Sequence, residues 1–239
     1  MANLDAELRR TANKIKDKSL RDKVINLIQN PEMHIGGKIY EGSSLEISPA
    51  SRNRHHSYEG GLIQHIISSS TIAITLCDIV ERIYRGRVDR DIVLASVIIH
   101  DLMKPLTYKL REDGGYDTSL LGEQMDHLTL IVSKLIERGF PLEIVHAVTA
   151  HHGRNGPSSP RTVEALICFL ADSTDATLNG EVLNAAKYLI DRYVGEQVRQ
   201  LSAEESFSIV YAKQRRDDAG VKDAFKEMKL KRKAGDSTS

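Results

Sequence analysis

The sequence predicts an all-α protein folded as a single helical domain. Three observations carry that expectation. Apolar residues recur at helical spacing, i, i+3 and i+4, along most of the chain. Proline, glycine and clusters of small polar residues separate those runs. The one strongly β-branched stretch, Ile92–Met103, has no neighbouring run to pair with as a hairpin.

The first helical run carries Leu4, Leu8, Ile15, Leu20, Val24, Leu27 and Ile28, and Asn30-Pro31 stops it. Residues 31–57, with Gly36, Gly37, Gly42 and Pro49, read as a long irregular loop; loops of that length commonly border a site. Helical spacing returns from Tyr58 through Leu62, Ile66, Leu76 and Ile83, and Gly86 breaks it. Ile92–Met103 reads as a buried helix ending before Pro105, and Glu112–Gly115 as a turn. Three helices follow, Leu120–Arg138, Pro141–His152 and Pro160–Thr177, the two prolines at first-turn positions. Helices over 181–199 and about 203–228 complete the run, and the basic segment 229–239 is expected to be a flexible tail. The organisation predicted is an N-terminal helical segment and loop (1–45), a functional core (46–180) and C-terminal helices (181–228), with no repeat and no interdomain linker.

Composition narrows the function classes. The 239 residues hold 33 Lys plus Arg against 33 Asp plus Glu, so formal net charge is zero. A general electrostatic grip on nucleic acid is therefore not expected, although the Lys-rich stretch from Lys222 to Lys233 leaves a local one open. At 41% hydrophobic and 28% charged, the chain can bury a core. Two scattered cysteines, Cys77 and Cys168, make no disulfide framework. The opening MANLDAELRR has no hydrophobic signal core and no apolar run reads as membrane-spanning, so a cytoplasmic protein with no membrane partner is expected. Apolar positions on the last two helices leave a homo-oligomer open.

The nine histidines are the unusual feature. A transition-metal site needs nitrogen and oxygen donors converging from separate elements. The chain offers His65 in one helix, His100-Asp101 at the end of the next, His127 in another, His151-His152 closing a fourth, and Asp172 with Asp175 on a fifth. Several lie in apolar surroundings, as in Leu-Ile-Gln-His-Ile-Ile and Val-Ile-Ile-His-Asp-Leu, where an unpaired carboxylate would be costly and a cation would balance it. Each has a blander reading taken singly. A lone histidine is often a hydrogen-bonded core residue, His151-His152-Gly153 suits a helix C-terminus, and Asp172 and Asp175 suit a solvated face. The joint pattern favours a buried metal site.

The order His65, His100-Asp101, Asp172 resembles the HD superfamily of metal-dependent phosphohydrolases. HHSYEGGLIQH at residues 55–65, HDLMKP at 100–105, DHLTL at 126–130, HHG at 151–153 and LADSTDA at 170–176 carry the likeness, over roughly residues 45–177. Within the superfamily, SPASRNRHHSYEGGLIQH is most similar to enzymes that open a 2′,3′-cyclic phosphate; GRNGPSSP replaces the longer Gly-Tyr-Pro signature of the cyclic-dinucleotide branch.

The resemblance implies an HD-type all-α domain with one or two divalent transition-metal ions, iron(II) first, manganese or zinc as alternatives. It implies His65, His100, Asp101 and Asp172 on one ion, and His127, His151 and His152 on a second, with Asp101 between them. Water activated on metal would open the cyclic phosphate of a small molecule to a monoester. Asp101 and Lys104 are the expected catalytic pair, Lys104 reaching phosphate from three residues beyond Asp101. Arg54, His55 and His56 are expected to bind substrate, with Arg52 a weaker candidate. Asp175 is expected to orient a ligand, Tyr58 to stack on a heterocycle or pack in the core, and His34 and His146 to be structural. The competing activities are a 3′–5′ exoribonuclease, a nucleotide phosphohydrolase, and a non-catalytic metal-binding module.

Overall fold

The computed structural model describes residues 4–236. Helices α1 (Leu4–Ala12) and α2 (Lys18–Gln29) lead into a small hairpin, β1 (Met33–Ile35) with β2 (Lys38–Tyr40). The long connection that follows reaches α3 (Gly61–Asp78), which runs on through a π-helical turn to Ile83. Then come α4 (Arg90–Ile99), the single turn α5 (Lys104–Thr107) and a second hairpin, β3 (Tyr108–Leu110) with β4 (Tyr116–Thr118). Helices α6 (His127–Glu137), α7 (Leu142–Thr149), α8 (Val163–Val194) and α9 (Ala203–Asp236) complete the chain.

The core explains the sequence pattern. Helix α4 is buried at every position from Val93 to Ile99, because it contacts α2, α3, α7 and α8. A helix covered on all sides has no polar face to show, hence its strand-like composition. Its start is fixed by Asp89, whose side chain accepts the Asp91 and Ile92 amides. Leu8, Ile15 and Leu27 of the N-terminal segment join the same core as Ile63 and Ile66 of α3, Ile98 and Ile99 of α4, Leu130 of α6 and Ile144 of α7. Burying each such side chain contributes about 2 kcal/mol. Leu183, Ala186 and Ile190 of α8 form a separate cluster with Leu201, Ile209, Val221 and Phe225.

Several boundaries differ from expectation. The loop 31–57 contains the first hairpin, turned by Gly36 and Gly37 at φ of +58° and +77°, the mirror-image turn that suits twisted strands. Helix α6 starts at His127 instead of Leu120, since Asp126 caps it by accepting the Thr129 amide at 2.6 Å. Pro141 caps α7 from outside, and α8 starts three residues after Pro160, with Thr162 as its cap. Helix α8 also runs unbroken through the 180 boundary to Gly195, which closes it at φ +78°. Gly180 costs that helix about 1 kcal/mol relative to Ala, and the loop carrying Arg54 and His55 lies against it.

Helix α9 turns back on itself at Arg216–Asp217, where Asp217 has φ +54°. Arg232 thus reaches Glu205 at 2.7 Å, and a Cβ on Gly220 would fall 2.4 Å from the Ala212 carbonyl. The helix continues to Asp236, into the segment expected to be a tail; Phe225 and Met228 bury one side of it, and Lys229 pairs with Glu196. Residues 237–239 lie outside the described ones. Among the described residues one helix, Gly61–Ile83, is long and apolar enough by composition to cross a membrane. No such run was expected. It packs against α4 and α8 and carries His65.

Candidate metal centre

Three helices and the C-terminal ends of two others bring the predicted donors together. His65 stands one turn into α3, fully buried. His100 caps the C-terminus of α4, and Asp101 follows it with 1% exposure. His127 opens α6, His151 and His152 follow the last turn of α7, and Asp172 projects from α8.

The two oxygens of Asp101 divide the cluster. Oδ2 lies 3.3 Å from His100 Nε2 and 3.5 Å from His65 Nε2. Oδ1 lies 3.4 Å from His127 Nε2 and 3.9 Å from His151 Nε2. On the Oδ2 side, Asp172 Oδ1 sits 3.2 Å from His65 Nε2 and 3.6 Å from His100 Nε2, and the two imidazole nitrogens are 3.3 Å apart. On the Oδ1 side, the rings of His151 and His152 approach to 4.0 Å, and that of His127 lies 5.3 Å from His152.

The orientation of each ring is fixed from behind. His100 Nδ1 donates to the Val97 carbonyl at 2.7 Å, and His151 Nδ1 donates to the Val148 carbonyl at 2.6 Å. His65 Nδ1 donates to Asp175 at 2.6 Å. In all three, Nε2 is left as the inward-facing nitrogen, the arrangement that metal-binding histidines use. Asp101 Oδ1 and the Nε2 atoms of His127 and His151 are buried with no hydrogen-bond partner, while Oδ2 has the Lys104 ammonium beside it. Leaving three such atoms unsatisfied costs about 1–3 kcal/mol apiece. A bound divalent cation would satisfy them, so the residues fit the group. His65, His100 and Asp172 form one set whose donor atoms lie within 4.8 Å of one another; His127, His151 and His152 form another.

Electrostatics separates the two sides. Burial alone would depress the His65 and His100 pKa values, but Asp101 and Asp172 override it. They lift His65 well above its ordinary value and His100 to about 9. Both carboxylates are held well below the usual range, against burial, by those same imidazoles. Burial lowers His127 to about 4 and takes His151 well down, keeping both neutral.

A cavity of about 760 Å³ opens onto the cluster, lined by Asp101, His151, His152 and Asp172 and by Lys104, Arg54 and His55. Lys104 is itself buried and forms an ion pair with Asp101 Oδ2, which raises its pKa despite burial. His55 Nε2 is buried without a hydrogen-bond partner, and burial lowers that ring to about 3, so it meets the cavity uncharged. His56 does not line the cavity. It is 3% exposed, with Nε2 on Asp175 at 2.8 Å and Nδ1 on the Tyr58 hydroxyl at 2.6 Å, so its expected role as a substrate contact is corrected. Tyr58 is likewise buried, which rules out stacking on a ligand. Arg52 points elsewhere, donating to Thr118 Oγ1. His146 accepts the Arg161 amide at 3.0 Å, and His34 is exposed.

Sequence reasoning missed the far wall of the cavity. Ser173, Ala176, Thr177, Gly180, Glu181 and Asn184 line it from α8, with Asn53 and Asn155 from loops. The α8 set continues from Asp172 at helical spacing, a signal present in the sequence once the helix is known to run past Thr177.

The HD domain family matches residues 62–177. Over 168 residues the chain is 44% identical to the dihydroneopterin 2′,3′-cyclic phosphate phosphodiesterase of Methanocaldococcus jannaschii, covering 70% of this chain and 67% of that protein. The chain belongs to the HD family of metal-dependent phosphohydrolases. It is also 30% identical over 156 residues to a 3′–5′ exoribonuclease of Shouchella clausii, and 29% identical over 144 residues to that of Bacillus subtilis. Those alignments cover 59% and 55% of this chain but only 46% and 43% of the exoribonucleases. No solved structure matches the chain. HD domains bind divalent metals, and this chain has buried His and Asp groups that could hold one.

Proposed function

We propose that this HD protein is a phosphodiesterase that opens a 2′,3′-cyclic phosphate, that of 7,8-dihydroneopterin, to a monophosphate, a step in tetrahydromethanopterin synthesis. The division of the two Asp101 oxygens between two imidazole sets, at the floor of a cavity flanked by Lys104 and Arg54, carries this reading. The identity of 44% to a relative of that name supports the substrate.

In this reading His65, His100, Asp101 and Asp172 hold one ion, and His127, His151 and His152 a second, with Asp101 shared. The bound metal supplies a nucleophilic water at neutral pH and counter-charge for phosphoryl oxygens. The donor set is imidazole and carboxylate, which suits iron(II), with manganese or zinc as alternatives. Lys104, paired with Asp101 and exposed to the cavity, is placed to exchange that partner for a phosphoryl oxygen. Arg54 offers a second cation from the loop. His55, neutral and without a partner, offers a hydrogen-bonding nitrogen to the polar ligand. The Asn53, Asn155 and Asn184 side chains give a heterocycle amide donors and acceptors at the cavity wall. Cys77 and Cys168, both free and buried, suit a cytoplasmic location. The exposed Leu178, Tyr188 and Tyr211 on α8 and α9 support a homo-oligomer.

The test is turnover after anaerobic reconstitution with Fe(II), Mn(II) or Zn(II). The substrates are pterin 2′,3′-cyclic phosphate, nucleoside 2′,3′-cyclic phosphates and RNA oligomers. The expected result is a kcat/KM for the pterin at least about tenfold above that for any nucleoside. Equal turnover of nucleosides would overturn the pterin assignment, and degradation of RNA alone would move the protein to the exoribonuclease branch.

A further inference from the structure

Behind the cluster lies a second set of buried polar groups, His56 and Asp175, which meets the cluster at His65; the donor atoms of these three residues lie within 4.8 Å of one another. His56 has φ +44°, a left-handed conformation that a histidine adopts at a cost. Every polar atom around it fixes that conformation. Its amide donates to Asn179 Oδ1 of α8 at 2.6 Å, and its carbonyl accepts the Ala50 amide at 3.1 Å. The same carbonyl presses so closely on the start of α3 that a Cβ at Gly61 would fall 2.1 Å from it. In the side chain, Nδ1 meets the Tyr58 hydroxyl and Nε2 meets Asp175 Oδ2. That one carboxylate oxygen also accepts from His65 Nδ1 at 2.6 Å, while Oδ1 accepts from Ser68 Oγ at 2.5 Å. The residue immediately before His56 is His55, which lines the cavity. Ser51 Oγ holds both the Arg54 and His55 amides, at 2.9 and 3.0 Å.

We infer that His56 is a positioning residue that joins the metal centre to the substrate loop. Through Asp175 it fixes the ring of His65, and through its own strained backbone it fixes the place of Arg54 and His55 at the cavity. A carboxylate shared between two imidazoles cannot follow one of them without pulling on the other, so loop and ligand move as a unit. The inference rests on the reading of His65 as a metal ligand.

The test uses the full chain and Mn(II) as the probe ion, titrated against a competing chelator, with kcat and KM on a 2′,3′-cyclic phosphate at saturating Mn(II). His56→Asn tolerates the positive φ but withdraws the imidazole. Mn(II) affinity should fall about 10- to 100-fold, and KM should stay raised even when metal is saturating. Tyr58→Phe removes the hydroxyl that His56 Nδ1 shares with Gln64 Oε1 and Asn179 Nδ2 and should shift both quantities in the same direction by less; it decides the matter if His56→Asn does not fold. A role in stability alone would lower the melting temperature and leave Mn(II) affinity and KM unchanged, which overturns the inference. Recovery of the wild-type KM at saturating Mn(II) would overturn the link to the loop. His65→Ala serves as the separating control. If it binds Mn(II) like the wild type, the metal-site reading fails; if it loses Mn(II) while His56→Asn keeps it, only the positioning role does.

Discussion

The two sides of Asp101 are built from the same residue types and behave in opposite ways. His65 and His100 sit against Asp101 and Asp172, and those carboxylates favour the protonated rings. His127 and His151 have the far oxygen of Asp101 within 4 Å, and Asp172 acts on His151 as well, yet burial keeps both rings neutral. In the metal-free protein one side balances its carboxylates with protonated imidazoles, whose protons a metal ion would displace. The other offers neutral nitrogens and depends on the shared carboxylate for its charge. A histidine count says nothing of this difference; it follows from where the carboxylates fall.

Asp101→Asn tests the comparison most severely, because it removes the one group common to both sides. Activity should fall on the order of 10³-fold, with loss of metal from both positions; full metal content by elemental analysis would show that Asp101 does not join them. His151→Ala touches the neutral side alone. Its expected effect is smaller, about 10²-fold in activity, with the carboxylate side still loaded. If His151→Ala emptied both positions, the two sides would have to be treated as one site.

The pH dependence of the metal-free protein sharpens the same contrast. His100 is raised from 6.5 to about 9, so it contributes stability that is complete below pH 6.5 and lost as pH rises through about 9. His127 is lowered to about 4, so the fold is penalised as pH falls from 6.5 toward 4, where the unfolded chain takes up a proton that the native one refuses. Melting temperature in excess chelator should therefore peak near pH 6.5 and fall on both sides. Metal should remove the alkaline decline, since it replaces the proton on His100. A profile that is flat between pH 6.5 and 9 would show that the carboxylates do not hold that proton.

Much of the fold was legible in the sequence, and the reasons for the misses are physical. The run around Leu62–Ile83 announced a helix because core positions repeat at 3.6 residues, whereas Ile92–Met103, apolar on every face, reads as one because its neighbours are helical and it has no hairpin partner. Helix ends were harder to read. They depend on caps such as Asp126 and Thr162, which resemble any other polar residue until their side chains accept an amide. The break expected between Thr177 and Glu181 does not exist because Gly180 sits inside a helix that neighbouring chain covers. The Gly36-Gly37 pair did carry a hairpin signal within the loop read as irregular. At the site, each donor stood out by chemistry and order. His55 and His56 could not be told apart, since adjacent residues share a sequence environment. The structure separates them: His55 lines the cavity, while His56, at φ +44°, has its ring on Tyr58 and Asp175.

Arg52 and Arg54 repeat that lesson on the substrate side, and theirs is the smallest difference expected. Both precede the histidine pair and both looked suited to phosphate. Arg54 lines the cavity beside Lys104 and His55, whereas Arg52 donates to Thr118 Oγ1 on β4. A charge-assisted contact with a ligand phosphate contributes about 1.5–3 kcal/mol, so Arg54→Ala should raise KM about tenfold or more with less change in kcat. Arg52→Ala removes an exposed hydrogen bond and should leave KM within about twofold and stability within about 0.5 kcal/mol. Michaelis–Menten curves for the two variants on one 2′,3′-cyclic phosphate decide it. Equal losses at both positions would mean that the loop presents its basic residues as a patch, and that its backbone does not select which of them the substrate meets.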